Sequence, residues 1–182
     1  MKNITVRELI LLAFFADIGF VSKRLIAPFA NVLTDFLRVP GGIGTSFSLM
    51  FLVIGACLIR RKGSAAAMAL VQCILAMSLG MSGAMGMLSP IGYILPGIVI
   101  DLVIALCAGN RAGALFTMTA ANAAASLTAS LTANFIVFRL HGAVLGLYLL
   151  IALFSGGLCG MLSALIFRRI RPLYRNGNIT AE

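Results

Sequence analysis

Apolar and polar positions alternate along the chain on a long period. Six apolar stretches are separated by short polar ones. The first runs from about Glu8 to Ser22 and then meets Lys23 and Arg24. A shorter apolar piece, Leu25 to Leu33 with Pro28 inside it, follows. A helix needs roughly 20 apolar residues to cross about 30 Å of hydrocarbon, so this piece is read as an extension of the first helix or as an interfacial segment. Thr34 to Pro40 is polar. The second stretch covers about 39–59 and opens with Gly41-Gly42-Ile43-Gly44. Arg60-Arg61-Lys62-Gly63 makes a tight basic turn into the third, 64–79. An uncharged loop from Gly80 to Ser89 leads to the fourth, 90–108, where Pro96-Gly97 predicts a kink. Asn110-Arg111 turns the chain into the fifth, 112–137, and the sixth runs over 143–167. The pattern predicts an all-α integral membrane protein, one bundle of six transmembrane helices spanning residues 1–182.

Composition supports this. Charged residues make up 10% of the 182 positions and hydrophobic ones 61%, with a mean hydropathy of +1.08. Soluble domains carry about 25% charged residues, so a water-facing surface cannot be built from this chain. The N-terminus imitates a signal peptide, but Asp17 interrupts the apolar run and no Ala-x-Ala site closes it. An uncleaved first helix is expected.

The net charge of +9 is read as topology. Lys2, Arg7, Arg60, Arg61, Lys62, Arg111, Arg168, Arg169, Arg171 and Arg175 fall on one side of the six-span layout, and Lys23, Arg24, Arg38 and Arg139 on the other. Short loops rich in Lys and Arg stay in the cytoplasm, so both termini are expected inside, in a bacterial-type plasma membrane. No basic stripe carries stacking aromatics, which argues against nucleic acid.

Small residues mark packing faces, because in lipid they let backbones approach. The sixth span offers Gly156, Gly160 and Ala164, the fifth an alanine cluster, and the first Ala13, Ala16 and Gly19. Spacing leaves open whether these faces meet helices of this chain or of a partner.

Polar groups at membrane depth are costly and face an interior, a cavity or a partner. Thr119, Asn122, Ser126, Ser130 and Asn134 recur every three or four residues and trace one face of the fifth span. Such a stripe either lines a cavity or makes interhelical hydrogen bonds. Asn134 falls at the outer end, and a binding site is expected there. Ser89, Tyr93, Tyr148, Arg139 and His141 fall at the same level. Asp17 and Asp101 are the acids within spans. Asp101 could hold a cationic substrate group or pair with another helix, and Asp17, beside the small residues of the first span, a subunit or a substrate. Gln72 could face the same interior.

Catalytic signatures are missing: no Gly-x-Ser-x-Gly, no His-Glu-x-x-His, no phosphate-binding glycine loop and a single His. No enzyme activity and no cofactor is expected. Cys57, Cys73, Cys107 and Cys159 all fall in apolar stretches without a Cys-x-x-Cys pair, so neither metal nor disulfides are expected.

Three features are similar to the S-components of energy-coupling-factor (ECF) transporters, small vitamin-binding membrane subunits of an ABC-type system. They are the turn Lys62-Gly63-Ser64-Ala65-Ala66, the Pro40-Gly41-Gly42 start of the second span, and Pro90-Ile91-Gly92-Tyr93-Ile94-Leu95-Pro96-Gly97 leading to Asp101. The resemblance implies capture of a vitamin or precursor on the outer side and its delivery through a T-component and a pair of ATPases. It implies a pocket built by the last three helices and outer loops, where Tyr93, Asn134 and Tyr148 lie. It also implies T-component contact through an Ala-x-x-x-Ala face of helix one; here Ala13 is followed by Asp17, and Ala16 and Gly19 are the substitutes. The turn at Lys62 with the later Gln72 is most similar to subunits for the thiamine precursor hydroxymethylpyrimidine. From the residues alone, a stand-alone ion-coupled transporter or channel using Asp17 and Asp101, and a ligand-free scaffold subunit, remain alternatives.

Overall fold

The computed structural model describes residues 5–37, 43–80, 83–109 and 113–176, and among them there is no strand. Helix α1 spans Val6–Leu37. It starts in half of a capping box: the Thr5 amide donates to Glu8 Oε2 at 3.0 Å, so the carboxylate satisfies the helix-start amide. The Leu25 to Leu33 piece is part of this helix, which runs on through Pro28. At 1.5 Å per residue α1 is about 48 Å long, more than the hydrocarbon thickness.

Helix α2, Ile43–Ile59, occupies the centre and touches all five other helices. It carries no charge and is apolar over most of its surface, which suits a helix surrounded by protein or by lipid. Leu49, Met50, Leu52, Val53 and Ile54 are all buried. The chain then reverses within four residues, using left-handed backbone at Arg60 (φ 55°) and Gly63 (φ 87°), and enters α3, Ser64–Ser78. The predicted loop after α3 contains a 3₁₀ turn, Gly83–Leu88, in which Gly86 takes a backbone conformation open only to glycine (φ 51°, ψ −123°). Helix α4 covers Ser89–Gly109 and α5 Ala114–Ala133; a π turn, Asn134–Phe138, continues α5, and α6 runs over Ala143–Asn176.

Around α2 the remaining helices form an arc through α1–α3, α3–α4, α4–α5 and α5–α6 contacts. Large apolar side chains point outward, among them Leu9, Phe14, Leu102, Phe154 and Leu158. Water cannot solvate such a belt; lipid can. Among the described residues three segments, Met85–Ala108, Ala114–Phe138 and Ala143–Pro172, are long and apolar enough to cross a membrane, while Gly44–Ile59 and Ser64–Ser78 are shorter apolar helices.

The start of α1 and the end of α6 share one end of the bundle. Arg61 in the α2–α3 turn makes a two-pronged ion pair with Glu8, Nη2 to Oε2 at 3.0 Å and Nε to Oε1 at 3.2 Å. Arg171 of α6 lines the same cavity as Arg60 and Arg61. This is the basic end. Lys2, Arg38, Pro40, Gly41, Gly42, Asn110 and Arg111 lie outside the described residues.

Candidate functional site

At the end opposite the basic one, α5, the π turn and α6 bring together part of the expected cluster. Tyr148 is buried on α6, with the Ser130 side chain of α5 near its hydroxyl. Phe138 meets the Tyr148 ring edge to face, with centroids 5.9 Å apart. Asn134, one turn beyond Ser130, is buried and folds its amide onto the chain ahead of it. The Leu140 amide donates to Asn134 Oδ1 at 2.7 Å, and Asn134 Nδ2 donates to the Leu140 carbonyl at 3.5 Å. The side chain thus imitates a peptide group and closes the loop, in which Arg139 is left-handed (φ 50°) and His141 is exposed. Five consecutive π-helical residues loosen the backbone where this polar group sits, a distortion frequent at functional sites.

Ser89 lies beside this group. Its hydroxyl donates to the Gly86 carbonyl at 2.7 Å, anchoring the 3₁₀ turn that touches the π turn. Tyr93 lies one turn along α4 and contacts α1. Its ring carries the Lys23 ammonium of α1 at 4.6 Å from the centroid, a cation–π contact. Lys23 and Phe138 were not among the expected site residues. A lysine followed by further apolar helix, and an aromatic ten residues before Tyr148, were the available signals.

The polar stripe of α5 divides in two. Ser130 and Asn134 belong to the cluster above. Thr119, Asn122 and Ser126 face α6 and α2 in a tight seam. Asn122 is fully buried and its Nδ2 donates to the carbonyls of Gly156 (2.8 Å) and Ser46 (3.3 Å), tying α5 to both neighbours. Ser46 and Ser155 share a hydrogen bond of 2.9 Å beside it. A β-carbon on Gly160 would lie 2.6 Å from Thr119 Cα, and one on Gly156 2.7 Å from Ser126 Oγ. Here the stripe is an interhelical contact, and Thr119 Oγ1, Asn122 Oδ1 and Ser126 Oγ are buried there without a hydrogen-bond partner among the described residues.

Asp101 is not with that cluster. Its Oδ2 accepts the Ala66 amide at 2.9 Å and its Oδ1 the Ala65 amide at 3.2 Å, so a carboxylate of α4 caps the N-terminus of α3. The negative group sits where the helix dipole is positive. Gly97 permits the approach: a β-carbon there would be 2.6 Å from Ala69 Cβ.

The expected partner face of α1 also divides. Ala16 and Gly19 are buried within the bundle, where Gln72 Nε2 donates to the Ala16 carbonyl at 3.0 Å and a β-carbon on Gly19 would lie 2.5 Å from Gln72 Nε2. Their smallness serves contact with α3 and α2. Ala13 and Asp17 are exposed on the outward side.

A cavity of about 620 Å³ opens at the basic end, away from the aromatic and amide cluster. No protein-family model matches the sequence, and no curated protein does. Among solved structures, the crystal structure of an S-component of an ECF transporter superposes with a TM-score of 0.68 at 22% identity, covering 97% of this chain and 88% of that one. The chain therefore has the six-helix fold of an ECF S-component.

Proposed function

We propose that this chain is the substrate-capture subunit of an ECF-type uptake transporter. It binds a small vitamin or precursor at the end holding Tyr148, Ser130, Asn134 and Ser89, and hands it on with a T-component and ATPases. The observation that carries this reading is the agreement in fold with an S-component over 97% of the chain. The outer cluster supports it: an edge-to-face aromatic pair beside amide and hydroxyl groups suits a flat, polar heterocycle. Orientation follows from charge, with the basic end in the cytoplasm and the cluster outside. Within the vitamins, a pyrimidine such as hydroxymethylpyrimidine, or thiamine, fits stacking on tyrosine plus an amide partner. Tyr93, Arg139 and His141 border the outer end as further contacts, and Asp17 with Ala13 offers the outward face of α1 to the T-component.

Mass spectrometry of small molecules released from freshly purified protein tests this directly. A stoichiometric vitamin or pyrimidine is the expected result. Uptake by the purified chain alone in liposomes, driven by an ion gradient, would overturn it in favour of an ion-coupled transporter.

A further inference from the structure

The cavity at the basic end has a two-part lining. Its rim holds Arg60, Arg61 and Lys62 from the α2–α3 turn and Arg171 from α6. Its wall is apolar, with Ile104, Met118 and Phe167 among the lining side chains. Asp101 also lines it, but both carboxylate oxygens accept amides of α3. Glu8 pairs with Arg61. Arg60, Lys62 and Arg171 make no ion pair among the described residues. Helix α5 begins at this same cavity, at Ala114, and its N-cap Gly113 has no side chain to cap the first amides. Their partial positive charge adds to that of the rim.

Arg60 is held there against its backbone preference. It sits in the left-handed region (φ 55°) just past the end of α2, where glycine is the usual residue. An arginine kept in such a conformation presents its guanidinium at a particular place.

We infer that this cavity is a binding site for an anionic phospholipid, its phosphate on Arg60, Lys62 and Arg171 and the first part of an acyl chain along the wall toward α4. Basic pockets between transmembrane helices are the form such sites take. A bare anion would leave the wall unfilled, since about 620 Å³ greatly exceeds one phosphate group. Leu102 and Leu106 are exposed on the adjoining outward face of α4 and give the rest of the chain a path to the bilayer. This inference is independent of the transported substrate and of which membrane face the basic end meets.

The test is thermal unfolding of delipidated protein in detergent with added phosphatidylglycerol or phosphatidylcholine at equal mole fraction. Phosphatidylglycerol is expected to raise Tm by roughly 2–4 °C, the shift of about 1 kcal/mol of selective binding to a protein of this size. Phosphatidylcholine is expected to leave it unchanged. Arg60→Gly with Arg171→Ala should lose most of the shift while folding normally, since glycine relieves the backbone at 60. Lys62→Gln with Arg171→Gln provides a second variant that keeps the left-handed Arg60. Arg168→Ala with Arg169→Ala removes two exposed cations of α6 outside the cavity and should keep the shift. Equal shifts from both lipids, equal loss in the Arg168/Arg169 variant, or a shift retained by both cavity variants would overturn the inference. So would the same stabilisation from inorganic phosphate alone, which would mean an anion site without lipid.

Discussion

Asp101 of α4 holds the amide of Ala66 at 2.9 Å and so begins α3 from outside that helix. Its second oxygen takes Ala65. The preceding residue, Gly63, has no side chain to do this. Asp101→Ala is therefore expected to destabilise the protein by about 1–2 kcal/mol, the range for losing a helix cap, and Asp101→Asn by less, since one acceptor remains. The chain has no tryptophan, so unfolding is best followed with a thiol-reactive fluorogenic dye. Cys73 and Cys159 are buried and react when the bundle opens. An unchanged Tm in Asp101→Ala would remove the cap from the account.

At the α5–α6 seam the backbones touch. A side chain at Gly160 would drive into Thr119 Cα and the Met118 carbonyl, which are main chain and cannot turn aside. Gly160→Leu is expected to cost about 3 kcal/mol or more, at or beyond the upper end of overpacking penalties. Gly157, one position from Gly156, meets nothing within 4 Å, and Gly157→Ala should be close to neutral. Paired thermal unfolding of the two variants checks this.

Asn134 clasps the Leu140 backbone in both directions. Asn134→Ala should leave the bundle folded, lose about 1 kcal/mol per hydrogen bond, and speed hydrogen exchange at the Leu140 amide. Ligand affinity should fall in the same variant, because the loop borders the proposed site. Asn134→Asp keeps the acceptor for the 2.7 Å bond and should keep the slow exchange at Leu140. Exchange at Leu140 that is indifferent to Asn134→Ala would contradict the clasp.

Helix α1 provides a contrast between neighbours. Ala16→Leu should unfold or strongly destabilise the protein, since Ala16 is fully buried against Gln72. Ala13→Leu should not, because Ala13 faces outward. On the proposed function, Ala13→Leu or Asp17→Leu weakens co-purification with a T-component while Tm is kept. Loss of Tm in Ala13→Leu would mean that the outward side of α1 packs differently.

Six apolar stretches were legible because burial in lipid demands long runs with few charges, and each run became a helix. The all-around apolar character of the second stretch was also visible, but its central position was not, since a helix surrounded by protein and one surrounded by lipid read alike. The stripe from Thr119 to Asn134 was legible as one face. Its division was hidden because spacing shows which side chains share a face and says nothing of what lies opposite. Gly156 and Gly160 set the seam there, and only the fold places them against Thr119 and Ser126. Asp101 was visible as a costly carboxylate. Its partners are backbone amides 35 and 36 residues away, which carry no side-chain signal. Ala16 and Gly19 read as a partner surface for a similar reason: smallness records close approach without naming the neighbour.

The central position of α2 also limits how the protein can vary over evolutionary time. Five helices lean on one short rod, so a change of volume at the buried Val53 or Ile54 is felt by several interfaces together, whereas exposed positions such as His141 and Val144 meet less of the protein. Diversification toward new ligands is then cheapest at the rim and most heavily taxed along the axis. A family built on this plan would keep the size of its axial side chains while its loop-proximal residues drift.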